Sequence, residues 1–210
     1  MRLCSYVVVI DKGFAPNPFS GFCTLAARTP NHQGLRLKEG DWVLGNSSSA
    51  EGRRLIYAMR ISEVLDFDKY YRDNRFARKK AKAGTWRDRC GDNIYFRNKA
   101  GDWVRGVSFH HTSLDSLRQD TRRPRVFISD HFFYFGENAR ALPPKFASLA
   151  RTCQGCKYHP GNLVEEFIKW LEQTYKPRLH GEPRDRDEST DLKCEPIQPR
   201  MRQTGSGKCT

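Results

Sequence analysis

The stretch RVFISDHFFYFG, residues 125–136, places a carboxylate and an imidazole inside an otherwise aromatic and β-branched run. Read as a strand, its two-residue period puts Val126, Ile128, Asp130, Phe132 and Tyr134 on one face and Phe127, Ser129, His131, Phe133 and Phe135 on the other. Either Asp130 or His131 then sits among aromatics. A charge so placed is costly unless it is paired or hydrogen-bonded, and such groups often line sites. Asp130 could serve as a general base or orienter, with His131 or a nearby hydroxyl as its partner. In a binding pocket the same carboxylate could accept a hydrogen bond from an exocyclic amine. A satisfied structural pair at a strand bulge remains the other reading.

Trp42, Trp86 and Trp103 are candidate stacking platforms, because a flat aromatic face beside cationic side chains suits a base next to its phosphate. Trp86 lies inside a basic run and is expected to be partly exposed, whereas Trp42 reads as a residue at a pocket edge. Cys153-x-x-Cys156 with His159 resembles half of a zinc site. A fourth ligand at regular spacing is missing, so two incidental thiols are the simpler reading and no metal is assigned. His110-His111 lack the HExxH arrangement. No P-loop, no Gly-x-Gly-x-x-Gly after a strand and no Gly-x-Ser-x-Gly elbow occurs, which removes the usual arguments for nucleotide hydrolysis, dehydrogenation and esterase chemistry. No cofactor is called for.

The elements that must position these groups follow from periodicity and punctuation. Ser5 to Ile10 is a Val-rich strand, apolar on both faces, as in a strand covered on both sides or curled into a barrel. DKGFAPNPFSGF, residues 11–22, is a shaped loop punctuated by Gly13, Pro16, Pro18 and Gly21, with Phe14, Phe19 and Phe22 too apolar to leave in water. KEGDWVLGNSSS predicts a turn, a strand through Trp42, Val43 and Leu44, and a polar exit. RRLIYAMRISEVLDF predicts a long partner strand with Leu55, Tyr57, Met59 and Ile61 on one face. NIYF and DWVRGVSFHH flank a turn at Asn98 to Gly101. NLVEEFIKWLEQTY is the clearest helix, with Asn162 as its cap, Glu165 completing a capping box and Val164, Phe167, Ile168, Leu171 and Tyr175 as one apolar stripe. Beyond Lys176 large apolar residues thin out, so 177–210 reads as a disordered tail after a single domain over 1–176.

Charge points to the partner. The 210 residues carry a formal net charge of +13 with a pI near 9.6, so a polyanion is attracted before any specific contact forms. The charge is patchy: Arg72, Arg75, Arg78, Lys79, Lys80 and Lys82 crowd one run, with Arg87 and Arg89 after it. Arg122, Arg123 and Arg125 form a second run after Arg118. Both runs are candidate contacts to a nucleic-acid backbone. Nothing approaches a transmembrane length, the amino terminus lacks a cleavage pattern, and seven irregularly spaced cysteines do not suggest a disulfide framework. These features predict a soluble protein of a reducing cytoplasm.

The order SYVVVIDKGFAPNPFSGFCTLA, KEGDWVLGNSS, RLIYAMRISEVLDFDKYY and RVFISDHFFYFG resembles the nucleotide-modification-associated domain family, type two, over roughly Leu3 to Pro144. The resemblance implies a prokaryotic or phage-associated protein linked to DNA base modification. A further likeness, to the PUA-like group that includes the ASCH, EVE and YTH domains, implies an α+β fold: a small β-barrel with peripheral helices, a C-terminal helix and a base-binding pocket. By that analogy Asn46, Ser47 and Ser48 contribute to the pocket, and the loop carrying Phe14, Asn17 and Phe19 forms one wall. The function so implied is binding of a modified base or nucleotide in nucleic acid, DNA before RNA. An enzyme of base modification centred on Asp130 is the alternative.

Overall fold

Two strands that alternation reads as continuous each break once, and the two breaks organise the molecule. The structure, a computed structural model, describes residues 1–27 and 35–189. β1 (Leu3–Val7), β2 (Cys23–Leu25), β3 (Trp42–Asn46) and β4 (Leu55–Arg60) open the chain. After β4 the chain turns at Ile61 and Ser62 and enters β5 (Glu63–Asp66), which belongs to a different sheet. α1 (Phe67–Arg72), a 3₁₀ helix (Asn74–Lys79), α2 (Trp86–Arg89), the hairpin β6 (Tyr95–Arg97) and β7 (Trp103–Arg105), and α3 (Leu114–Asp120) follow. β8 (Arg125–Ser129) then breaks at Asp130 into β9 (His131–Tyr134), and the described chain closes with β10 (Lys157–His159), α4 (Asn162–Thr174) and β11 (Arg178–Leu179).

The large sheet has the order β10-β1-β3-β4-β9-β11, parallel at β1/β3 and β9/β11 and antiparallel elsewhere. A second, antiparallel sheet has the order β2-β8-β5. The chains of β4–β5 and β8–β9 therefore pair with each other on both sides of the corner.

This is a mixed α/β fold of several sheets, and the closed barrel expected from the PUA-like analogy does not form among the described residues. The reason lies in what covers each face. One face of the large sheet, with Tyr6, Val43, Tyr57, Met59 and Tyr134, packs against Cys23, Leu25 and Phe127 of the second sheet. The other, with Leu3, Trp42, Leu44, Ala58 and Phe133, packs under Val164, Phe167, Ile168 and Leu171 of α4. With separate covers on both faces the strands are apolar throughout and need not curl.

Two boundaries differ from expectation. Gly161, in the left-handed region at φ 91°, precedes α4, and Asn162 is its first helical residue rather than its cap, with no side-chain capping bond. Order also continues past Lys176. β11 pairs with β9, the His180 amide donates to the Tyr134 carbonyl at 2.7 Å, and the Glu137 amide to the Glu182 carbonyl at 2.9 Å. The Asp11 amide donates to the Asp185 carboxylate at 2.7 Å while the Asp185 amide donates to the Asp11 carbonyl at 2.8 Å. Residues 177–189 are thus a strap held by backbone and polar bonds, which apolar periodicity does not reveal. The strap runs so close to Gly136 that a Cβ there would stand 2.0 Å from the Glu182 carbonyl oxygen. Residues 190–210 of the expected tail lie outside the described residues. No helix among the described residues is long and apolar enough to cross a membrane.

Candidate functional site

At the Asp130 corner, where the chain leaves the second sheet for the large one, lies a cleft of about 660 Å³. Its walls are the loop Asn17–Gly21, the end of the 3₁₀ helix with Arg78 to Lys82, the Asp130 corner with Phe132, and the strap at Pro177, Arg178 and Leu179. Six cationic side chains border it, Arg78, Lys79, Lys80, Lys82, Arg87 and Arg178, against two acidic ones, Asp88 and Asp130.

The cations differ in what they are free to do. Arg78 and Arg178 are exposed, and neither side chain has a protein partner among the described residues. Lys80 Nζ lies 3.9 Å from the centroid of the Tyr71 ring. Lys82 is paired with Asp88 at 3.3 Å but is 73% exposed, so the pair is loose in water. Arg87 pairs with Glu182 of the strap and stands over the rings of Trp86 and Phe19, at 5.3 and 5.9 Å. Those rings meet edge to face at 5.8 Å, half-buried at the rim.

Lys79 departs from its expected role as a phosphate contact, because its amine is buried at 1% exposure. Nζ donates to the Asn17 carbonyl and to Asn17 Oδ1, each at 2.8 Å, to the Phe22 carbonyl at 2.7 Å and to Thr24 Oγ1 at 3.1 Å. Thr24 Oγ1 in turn donates to Asp92 at 2.5 Å, and Tyr70 donates to the other Asp92 oxygen at 2.9 Å. Burial pushes the Lys79 pKa down to about 8 despite the nearby Asp92, and burial pushes the Asp92 carboxyl up. The network fixes the proline-rich loop from beneath and so sets the cleft wall that carries Phe19.

Asp130 is exposed, not set among aromatics, since the corner turns it out of the strand alternation. It accepts from the Ser62 hydroxyl on the opposite corner. His131 lies away from it, with Nε2 2.9 Å from Glu172 of α4 and its ring edge-on to Trp42. The two therefore do not form the acid–base pair that their adjacency suggested.

Of the other expected site residues, Asn17, Phe19, Arg78, Lys80 and Lys82 join Asp130 at the cleft, and Trp86 adjoins it through Phe19. Trp42 does not. It is 1% exposed in the core beneath α4, stacked on Phe133. Phe14 is buried against His110 and His111, with centroids at 4.7 and 5.0 Å. Asn46 is buried and bridges to the Arg151 backbone at 2.8 and 2.9 Å. Ser47 accepts from the Arg54 amide at 2.8 Å, and Ser48 donates to Glu51 at 2.7 Å. These three build a turn, not a pocket.

Arg72 and Arg75 are held by Asp68 and by Asp73 with Glu63. Arg123 and Arg125 border a separate groove beside Val64, Leu65 and Asp66, at the far end of β8, and Arg122 adjoins them in sequence. His159, near the Cys153-x-x-Cys156 pair, bonds Ser5 Oγ at 2.8 Å, and no group of three His, Cys, Asp or Glu among the described residues is placed to hold a metal. Arg178 and Leu179 escape sequence reasoning because they lie in the strap. Phe132 shares the Asp130 face in the alternation, which was the available signal.

Fold and site define a mixed α/β protein with a cationic, aromatic-rimmed cleft at the Asp130 corner. The chain belongs to the family described as nucleotide modification associated domain 2, whose profile matches residues 1–190 and so takes in the strap. No curated protein and no solved structure matches it.

Proposed function

We propose that the cleft holds one nucleotide unit of a nucleic acid, DNA in the first instance, as part of recognising a modified base. Arg78, Lys80, Lys82 and Arg178 take the phosphates, and the base enters beside Phe19 and Phe132. The observation that carries the reading is the meeting, in one concavity, of an aromatic rim with two exposed cations, Arg78 and Arg178, that have no protein partner among the described residues. Membership of a family associated with nucleotide modification supports the choice of ligand. The volume suits a small ligand rather than a duplex, so a base must arrive single-stranded or flipped out of its stack. The enzymatic alternative loses His131 as the partner of Asp130, since His131 is engaged by Glu172 of α4, and keeps only the Ser62 hydroxyl in that role.

Fluorescence anisotropy with single-stranded and duplex oligonucleotides, plain and base-modified, tests the reading. Tighter binding of single strands and of modified DNA is expected. Indifference to strandedness combined with unchanged affinity in Arg78→Glu/Arg178→Glu overturns it. Mass spectrometry of the same mixtures identifies an enzyme if the nucleotide changes mass.

A further inference from the structure

The cleft contains a contradiction for a site that only grips phosphate. Asp130 puts an exposed negative charge on a wall where the other acidic residue, Asp88, is already engaged by Lys82 and by the Thr85 hydroxyl. Among the described residues no cation of the cleft pairs with Asp130, although several border the same space. One carboxylate oxygen accepts from Ser62, and the Asp130 amide donates to that same hydroxyl at 3.2 Å, so the side chain is aimed and not free to swing. Its other oxygen has no protein partner among the described residues.

An ionised carboxylate only accepts hydrogen bonds. A ligand that fits this cleft must therefore bring anionic oxygens for Arg78, Lys80 and Arg178, and an N–H donor for Asp130. Nucleotides divide on that requirement. Adenine, cytosine and guanine carry an exocyclic amine that reaches a carboxylate with hydrogens foremost. Thymine and uracil present a single imide N–H between two carbonyl oxygens, whose lone pairs meet the carboxylate first.

We propose, resting on the reading of the cleft given above, that Asp130 selects nucleotides whose base bears an exocyclic amine over those of thymine or uracil. The Ser62–Asp130 corner is the device that holds the acceptor in place. A base amine replaces the water on this carboxylate with a hydrogen bond of its own, whereas an apposed carbonyl displaces that water and returns nothing, so the two classes of base are discriminated.

The test uses the full chain and calorimetric titration with dAMP, dCMP and dTMP, with inorganic phosphate as the probe for the cations alone. The expected result is affinity for dAMP and dCMP at least about tenfold above that for dTMP. Asp130→Asn should bring the three within about twofold, because an amide can donate to a carbonyl as well as accept from an amine. A ligand-side control needs no variant: the N6,N6-dimethyl derivative of dAMP lacks both amine hydrogens and should bind no better than dTMP. Equal binding of dAMP, dCMP and dTMP, a preference that survives in Asp130→Asn, or full affinity for the dimethyl derivative each overturns the assignment while leaving the cleft as a phosphate site. Failure of every nucleotide and of phosphate to bind removes the cleft reading itself and this selection with it.

Discussion

Ser62 and Asp130 hold each other across the two strand corners: the Ser62 hydroxyl donates to the Asp130 carboxylate and accepts from the Asp130 amide at 3.2 Å. Alongside, the Ser62 amide donates to the Ile128 carbonyl at 2.8 Å. Two chains that leave one sheet for another at the same level are thereby tied where neither has a regular ladder partner. Asp130, one half of this tie, lines the cleft. The feature that lets the sheets separate is also the one that places a carboxylate at the edge of the site.

The strap should matter for stability. A chain ending at Lys176 loses the β9–β11 pairing, the bond to the Tyr134 carbonyl and the Asp11–Asp185 exchange, and it bares Asp11, Phe135 and Tyr134. At about 1 kcal/mol for each backbone bond lost, the deficit is on the order of 3 kcal/mol. That corresponds to a fall of roughly 6–12 °C in Tm for a chain of this size. Differential scanning calorimetry of the truncated and full chains measures it, and equal melting temperatures would show that the strap contributes nothing.

The Lys79 amine sets a pH dependence whose sign is fixed. Its pKa is about 8 in the folded protein against an ordinary 10.5. Between those values the unfolded chain binds more protons than the folded one, so this group's contribution to stability rises with pH across that window. Lys79→Met should be less stable at pH 7.5 by roughly 2–4 kcal/mol, since the Asn17 and Phe22 carbonyls lose their donor. The gap should widen by about 1 kcal/mol per pH unit from 8 towards 10. Urea midpoints at pH 7.5, 8.5 and 9.5 read this out, and parallel behaviour of the two proteins would mean that Lys79 titrates normally.

How much of this was legible in the residues depends on what the signal rests on. Strands with large apolar side chains, the β3–β4 and β6–β7 hairpins and the α4 stripe follow from periodicity alone. The corners did not, because breaks at Ser62 and Asp130 lie inside runs that alternate correctly on either side, and nothing local distinguishes a strand that changes sheets. In the sequence Lys79 is one more cation in a basic run, a candidate phosphate contact like its neighbours. Its burial is created by the Asn17 and Phe22 carbonyls, which come from a loop some sixty residues earlier. Asn46, Ser47 and Ser48 have the composition of a polar pocket lip, yet their hydrogen-bonding capacity is used within the turn and on Arg151. The strap is nearly invisible because it is held by backbone groups, which every residue carries, and by single side-chain pairs such as Arg87–Glu182 and Arg186–Glu137 that follow no period.

Phe19 and Trp42 separate site from scaffold. Phe19 is half-buried at the rim against Trp86, so Phe19→Ala should weaken single-stranded DNA binding by about 1–3 kcal/mol, the worth of one stacked base, with a small change in Tm. Trp42 is buried beneath α4, so Trp42→Ala should cost roughly 3–5 kcal/mol of stability. Trp42→Phe, which keeps most of the volume, should bind DNA like the parent. Anisotropy and thermal melting on the same samples decide the matter, and a binding defect in Trp42→Phe would place the site on the wrong face of the sheet.

The salt dependence of binding locates the phosphate contacts. Counterion release makes the logarithm of affinity fall linearly with that of salt concentration, with a slope of about 0.7 per phosphate neutralised on a single strand. Arg78, Lys80 and Arg178 border the cleft with no ion-pair partner among the described residues, whereas Arg72 and Arg75 are already held by Asp68, Asp73 and Glu63. Substituting Ala at Arg78, Lys80 and Arg178 together should therefore lower the slope by about 2. The same change at Arg72 and Arg75 should leave it nearly untouched, because removing a cation from an intramolecular pair displaces few counterions. Arg123 and Arg125, at the far end of β8, supply the control for a second track. If substitutions there lower the slope while those at the cleft do not, the backbone runs along the β5–β8 groove and the cleft is not the binding site. Lys79 must be left intact in every combination, since its loss would act through the loop it holds and mimic a lost phosphate contact.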